Sequence, residues 1–108
     1  MKNYYDPQFN GTEEYHQYGK SFLFTDSIKY FANNKEAFWL LDLILSYYKI
    51  YKDLDFVVFT LDVKDGKAEF KILDDVKEIA TQSIEYTDLD VSVKLFMDSN
   101  VLMFPSDY

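Results

Sequence analysis

Cysteine and arginine are both absent from the 108 residues, histidine occurs once, and there are only three glycines and two prolines. Without cysteine there is no disulfide framework, no thiol nucleophile and no cysteine-based zinc site. Secreted domains of this size often rely on disulfides, so their absence favours the cytosol. Without arginine the planar fork that grips phosphates and carboxylates bidentately is missing. Gly11, Gly19 and Gly66 are too scattered to form a phosphate-cradling loop. Met1 to Pro7 contains no apolar run of the signal-peptide kind, and the best spanning candidate, Ala37 to Tyr51, is broken by Asp42, Ser46 and Lys49. The expectation is a soluble, cytoplasmic protein with no membrane role.

What the chain has in excess is aromatic side chains and negative charge. Ten Tyr, ten Phe and one Trp make up 19% of the residues. Each buried ring removes a large apolar area from water, which lets a small domain build a core. Ten tyrosines cannot all be buried, because every hydroxyl needs a partner, so some must lie at the surface, where Tyr is a favoured contact residue. Nineteen acids against eleven lysines leave a net charge of −8. That field repels nucleic acid and anionic membranes and attracts basic protein. Direct nucleic-acid binding is disfavoured.

No linker or repeat divides the chain, so residues 1–108 are read as one α+β domain, helical over about 12–52 and sheet over about 56–104. Thr12 before Glu13-Glu14, with Gly19 behind, predicts a short first helix. Ser21 to Phe24 predicts a short strand, and Thr25-Asp26-Ser27 caps a brief helix that Asn33-Asn34 stops. Ala37, Leu40, Leu41, Ile44, Tyr48 and Tyr51 recur at spacings of three and four, predicting a main helix from about Lys35 to Tyr51 with Trp39 and Leu41 buried. The period then changes to two. Phe56 to Val63 and Ala68 to Ile72 flank Asp65-Gly66 as a hairpin. A third strand carries Ala80, Gln82, Ile84 and Tyr86, a fourth Val91, Val93, Leu95 and Met97, and a last short one Val101 to Phe104. The fold expected is a four- to five-stranded antiparallel sheet with the N-terminal helices packed on one face. Its closing strand, Val101 to Phe104, offers an edge through which a homodimer could form.

Little in the chain suits catalysis. Glu13 and His16 at helical spacing resemble half of a di-metal carboxylate site, but such a site needs a second pair and further acids. The carboxylate pairs Asp53/Asp55, Asp74/Asp75 and Asp88/Asp90 fall at expected turns or strand ends, where solvated acids are ordinary. The expectation is a protein that is not an enzyme, with no cofactor and no metal. The tyrosines are better candidates. Tyr5, Glu13, Glu14 and Tyr15 crowd the N-terminus; Tyr47, Tyr51, Asp53 and Asp55 crowd the end of the main helix. The plain reading is that Tyr18, Tyr48 and Tyr51 cap the core with their hydroxyls outward. The sharper alternative is that acids interleaved with tyrosines contact a lysine- and arginine-rich partner by ion pairing and cation–π attraction.

Phe9-Asn10-Gly11-Thr12-Glu13, Leu23-Phe24-Thr25-Asp26, Ala37-Phe38-Trp39-Leu40-Leu41-Asp42, Ile84-Glu85-Tyr86-Thr87-Asp88 and Phe104-Pro105-Ser106-Asp107-Tyr108 stand in the order found in an uncharacterised family of small single-domain proteins of bacteria, phages and mobile elements. The chain resembles that family from about Phe9 to Tyr108, although Ser27 replaces its usual Gly and Val57-Val58-Phe59 its Gln-Val-Trp pattern. The resemblance implies no activity, but it implies a setting in which small proteins counter host defences. With the acidic surface it leads to an expected function: a phage-type, anti-CRISPR-like inhibitor that binds a basic host protein such as an RNA-guided CRISPR nuclease or its guide complex. The alternative is an accessory binding protein of a mobile element, with a replication or regulatory partner and no immune target.

Overall fold

A computed structural model describes residues 15–108. The start expected for the first helix, Thr12 to Glu14, lies outside the described residues; over the rest of it the structure has a strand, β1 (Tyr15–Tyr18), paired antiparallel with β2 (Phe22–Thr25). His16 and Tyr18 alternate with the more exposed Tyr15 and Gln17, and their rings lie against Phe24 and Phe22. Alternating aromatics stacked on a neighbouring strand favour the pleated form over a helix. Gly19, at φ +57°, turns the hairpin instead of ending a helix.

Helix α1 (Asp26–Asn34) begins as expected, with Thr25 Oγ1 accepting the Ile28 N–H. The main helix starts later than expected and is broken: α2 (Phe38–Ser46) and α3 (Tyr48–Tyr51) meet at Tyr47. Ser46 Oγ donates back to the Leu43 carbonyl at 2.6 Å, a local bond that competes with the helical ladder and bends it. Leu41 is buried as expected, whereas Trp39 is only half-buried.

Among the described residues the sheet has seven strands in place of four or five, and it is mixed. β3 (Phe56–Lys64) and β4 (Lys67–Asp74) form the expected hairpin, with Asp65 and Gly66 both at positive φ as a tight two-residue turn requires. β5 (Lys77–Ile84), β6 (Val93–Asp98) and β7 (Val101–Met103) complete the order β1-β2-β7-β6-β3-β4-β5. β7 runs parallel to β2, matching Leu23 with Val101 and Phe24 with Leu102. It is therefore an interior strand, so the dimer edge expected at Val101 to Phe104 does not exist. Among the described residues the outer strands are β1, four residues long, and β5, whose register shifts opposite Ile72/Leu73 of β4 and which carries the exposed charges Lys77 and Glu78. Shortness, irregularity and charge all guard an edge against pairing with another chain.

Alternate sheet positions, including Phe22, Phe24, Val57, Phe59, Leu61, Phe70, Ile72, Leu95 and Leu102, share one core with Ile28, Ala32, Leu40, Leu41 and Ile44 of the helices. On the other set of positions Phe56 and Phe96 pack together at 5.0 Å, and Tyr108 closes over both.

Candidate interaction site

The residues singled out in the sequence separate in space. Tyr5, Glu13 and Glu14 lie outside the described residues. Tyr15 is exposed on the edge strand β1. His16, read as a surface side chain beside a helix start, sets Nε2 2.5 Å from Asp26 Oδ1. Tyr47 is half-buried against Phe70 and donates to Gln82 Oε1 at 2.5 Å. Tyr51 is 1% exposed, packed edge-on against Phe59, and its hydroxyl donates to the Ile44 carbonyl; burial pushes its phenol pKa well up. It cannot meet a partner, which corrects the expected patch at the end of the helical segment. Asp53 and Asp55 remain exposed there without it. Its seven-residue spacing from Ile44 on the apolar face was the available sign that Tyr51 turns inward.

A different constellation forms around the loop between β5 and β6. Thr87 N–H donates to the Gly66 carbonyl at 2.7 Å, which pins this loop to the turn of the β3–β4 hairpin. Thr87 Oγ1 in turn accepts the Leu89 N–H, and both residues are buried. Tyr86 and Asp88, alternating with them, are thereby held outward. The result is a cavity of about 270 Å³ whose lining includes Lys35, Glu36, Trp39, Ile84, Tyr86 and Asp88. Tyr86 is 73% exposed and donates to Asp88 Oδ1 at 2.5 Å. That hydrogen bond, and then the carboxylate charge, raise the phenol pKa. Lys35 Nζ pairs with Asp90 at 3.2 Å, which ties the end of α1 to the loop. Neither Trp39, assigned to the core, nor Tyr86, assigned to a strand face, was expected here; Thr87-Asp88 directly after Tyr86 was the turn signal that marked the strand as already ended.

A larger hollow of about 880 Å³ runs along α1 past Tyr30, Phe31 and Phe104. Its lining carries Lys29 and Lys35 against Asp26, opposite in sign to the acid excess of the chain, whereas Glu36 and Asp88 outnumber Lys35 in the smaller cavity. Charge therefore favours the smaller one as the contact site for a basic partner.

The recurring sequence words meet in pairs. Asp107 accepts from Thr25 Oγ1 at 3.2 Å, from Ser27 Oγ at 3.1 Å and from the Phe104 N–H at 3.1 Å, while Phe104 packs edge-on against Phe31. The Phe-Pro-Ser-Asp-Tyr and Phe-Thr-Asp words thus form one clamp, and the fold accounts for it. The words holding Trp39 and Tyr86 meet at the cavity, where their rings remain open to solvent.

Among the described residues no cluster of three or more His, Asp or Glu side chains is placed to hold a metal, and no helix is long and apolar enough to cross a membrane. No curated protein and no solved structure matches this chain. The model of one family matches residues 7–108, nearly the whole chain, and the protein belongs to that family, DUF6876, a family of unknown function.

Proposed function

We propose that the protein is a non-enzymatic binding module for a basic protein surface, and that in its biological setting it is a phage or mobile-element inhibitor of a basic nucleic-acid-handling defence enzyme, of which an RNA-guided CRISPR nuclease is the type. The observation that carries the reading is where the charge sits. Among the described residues no carboxylate and no lysine is buried, so every described carboxylate is at least partly in water. A catalytic acid or base is usually tuned by burial or by a charged neighbour in a closed site. Solvated acids beside exposed tyrosines instead create an outward field and a contact surface.

The test is biological and then physical. Cells with an active CRISPR system, challenged by a targeted phage or plasmid, should lose protection when the protein is expressed. Binding of the purified protein to the effector should weaken as salt rises, because charges further apart than a Debye length of about 8 Å at physiological ionic strength are screened. If interference is intact across several CRISPR types, the inhibitor reading fails and an accessory partner of a mobile element takes its place. Turnover of nucleotide, RNA or DNA by the purified protein alone would overturn the non-enzymatic reading.

A further inference from the structure

We propose that the cavity between Trp39 and Tyr86 receives one cationic side chain of the partner, and that it prefers a guanidinium to an ammonium. The proposal rests on the basic-partner reading above and names the place and chemistry of the contact.

Three features of the cavity converge on this ligand. The first is its walls. Trp39 comes from α2 and Tyr86 from the β5–β6 loop, and indole and phenol are the ring faces that attract cations most strongly. Both walls rest on fixed supports: Trp39 packs against the core, and the loop that carries Tyr86 is fixed by the bonds of Thr87 to Gly66 and Leu89. A binding wall that is already ordered loses little entropy on contact.

The second is the distribution of acceptors. Glu36 and Asp88 line the cavity, and Asp88 has given only Oδ1 to the Tyr86 hydroxyl. A carboxylate offers about four lone-pair sites on its two oxygens, so acceptor capacity remains for a forked donor. Lys35 also lines the cavity, but its Nζ is paired with Asp90 at 3.2 Å, and the two acids of the lining outnumber it. The third is size. About 270 Å³ is below the range of about 300–1,000 Å³ typical of small-molecule sites and is suited to a single side chain. A planar guanidinium can stack on a ring and bind a carboxylate edge-on at the same time, which a compact ammonium cannot.

The protein carries a built-in reporter, because Trp39 is its sole tryptophan. The full chain is titrated with dye-labelled hexa-arginine, hexa-lysine and the uncharged isostere hexa-citrulline. Peptide anisotropy reads binding anywhere on the protein, and Trp39 emission reads the cavity. Hexa-arginine should change Trp39 emission with the same midpoint as the anisotropy, hexa-lysine should bind more weakly, and hexa-citrulline should do neither. Tyr86→Ala, at an exposed position that leaves the core intact, and Glu36→Gln combined with Asp88→Asn, should each weaken hexa-arginine binding on the order of tenfold, as expected for one cation–π contact or a pair of charge-assisted hydrogen bonds. Circular dichroism confirms that both variants fold. Hexa-arginine binding with Trp39 emission unchanged and affinity unaltered in both variants would overturn the cavity proposal while leaving the basic-partner reading intact. Equal binding of hexa-citrulline would overturn the cationic ligand. No binding of any peptide would remove both proposals.

Discussion

The hydroxyl of Tyr51 donates to the carbonyl of Ile44 at 2.9 Å, across the point where the helical segment breaks. The same carbonyl accepts the Tyr47 N–H at 3.2 Å, so the polar groups freed by the break are satisfied from within the segment. Tyr51 to Phe should therefore cost about 1 kcal/mol, the net value of one such bond, because the carbonyl keeps its other partner. Tyr51 to Ala removes a ring from the core and should cost about 3–5 kcal/mol. Urea denaturation of the two variants checks the contrast.

Asp107 gathers three donors from two distant parts of the chain. Asp107→Ala leaves Thr25 Oγ1 and the Phe104 N–H without that acceptor, and the expected loss is about 1–3 kcal/mol. Asp107→Asn keeps one acceptor oxygen and should recover part of it. Equal losses for both variants in urea would mean that packing, not hydrogen bonding, holds the clamp.

Trp39→Ala should cost less than Leu41→Ala, even though indole is the larger side chain. Leu41 is fully buried, and truncations at such sites cost about 2–5 kcal/mol, whereas part of the indole already faces water. A larger loss at Trp39 than at Leu41 would contradict the open ring at the cavity.

Alkaline pH tests the packing of β1. Burial, and then the hydrogen bond and charge of Asp42, push the Tyr18 phenol up to about 12 from an ordinary 10. Between those values the unfolded chain has released this proton and the folded chain has not. The stability it contributes is complete below pH 10 and falls away as pH rises towards 12. Denaturant midpoints measured across that window should fall less steeply in Tyr18→Phe than in the parent protein.

Charge reversal separates the two acidic regions. Glu36→Lys with Asp88→Lys should abolish hexa-arginine binding, whereas Asp53→Lys with Asp55→Lys, flanking the inward-turned Tyr51, should weaken it only through the general field. Anisotropy titrations at low and physiological salt distinguish a local effect from a screened one.

The local parts of the fold were legible in the sequence because their signals are local. Thr25 as a cap, Asp65-Gly66 as a hairpin turn, and the alternation through Phe56–Val63 each follow from neighbouring residues. β1 was hidden because Tyr15 to Tyr18 follow a helix-like Thr-Glu-Glu start, and only stacking on Phe22 and Phe24 reveals the strand. The β2–β7 pairing joins segments some eighty residues apart, and no short-range pattern encodes it. Of the tyrosines beside acids, the sequence singled out Tyr47 and Tyr51 but not Tyr86, which the structure leaves exposed beside Asp88. Tyr47 and Tyr51 are taken up by packing against Phe70 and Phe59, while Tyr86 is freed because Thr87 and Leu89 on either side of Asp88 are anchored inward.

The interior position of β7 makes the sheet a structure that closes late. Until Val101–Met103 has left the ribosome, the β1–β2 hairpin has nothing to pair with on its inner side, and the β6-β3-β4-β5 portion ends at an open strand. Asn100 and Ser21 then make the junction: the Leu23 N–H donates to the Asn100 carbonyl, and Asn100 Nδ2 donates to the Ser21 carbonyl. Contacts of such long sequence separation are slow to form, so the step that joins the two halves should limit the folding rate. A nascent chain stopped at residue 100 would expose two raw strand edges, guarded by neither the shortness of β1 nor the irregularity of β5. Such a fragment is expected to aggregate rather than wait.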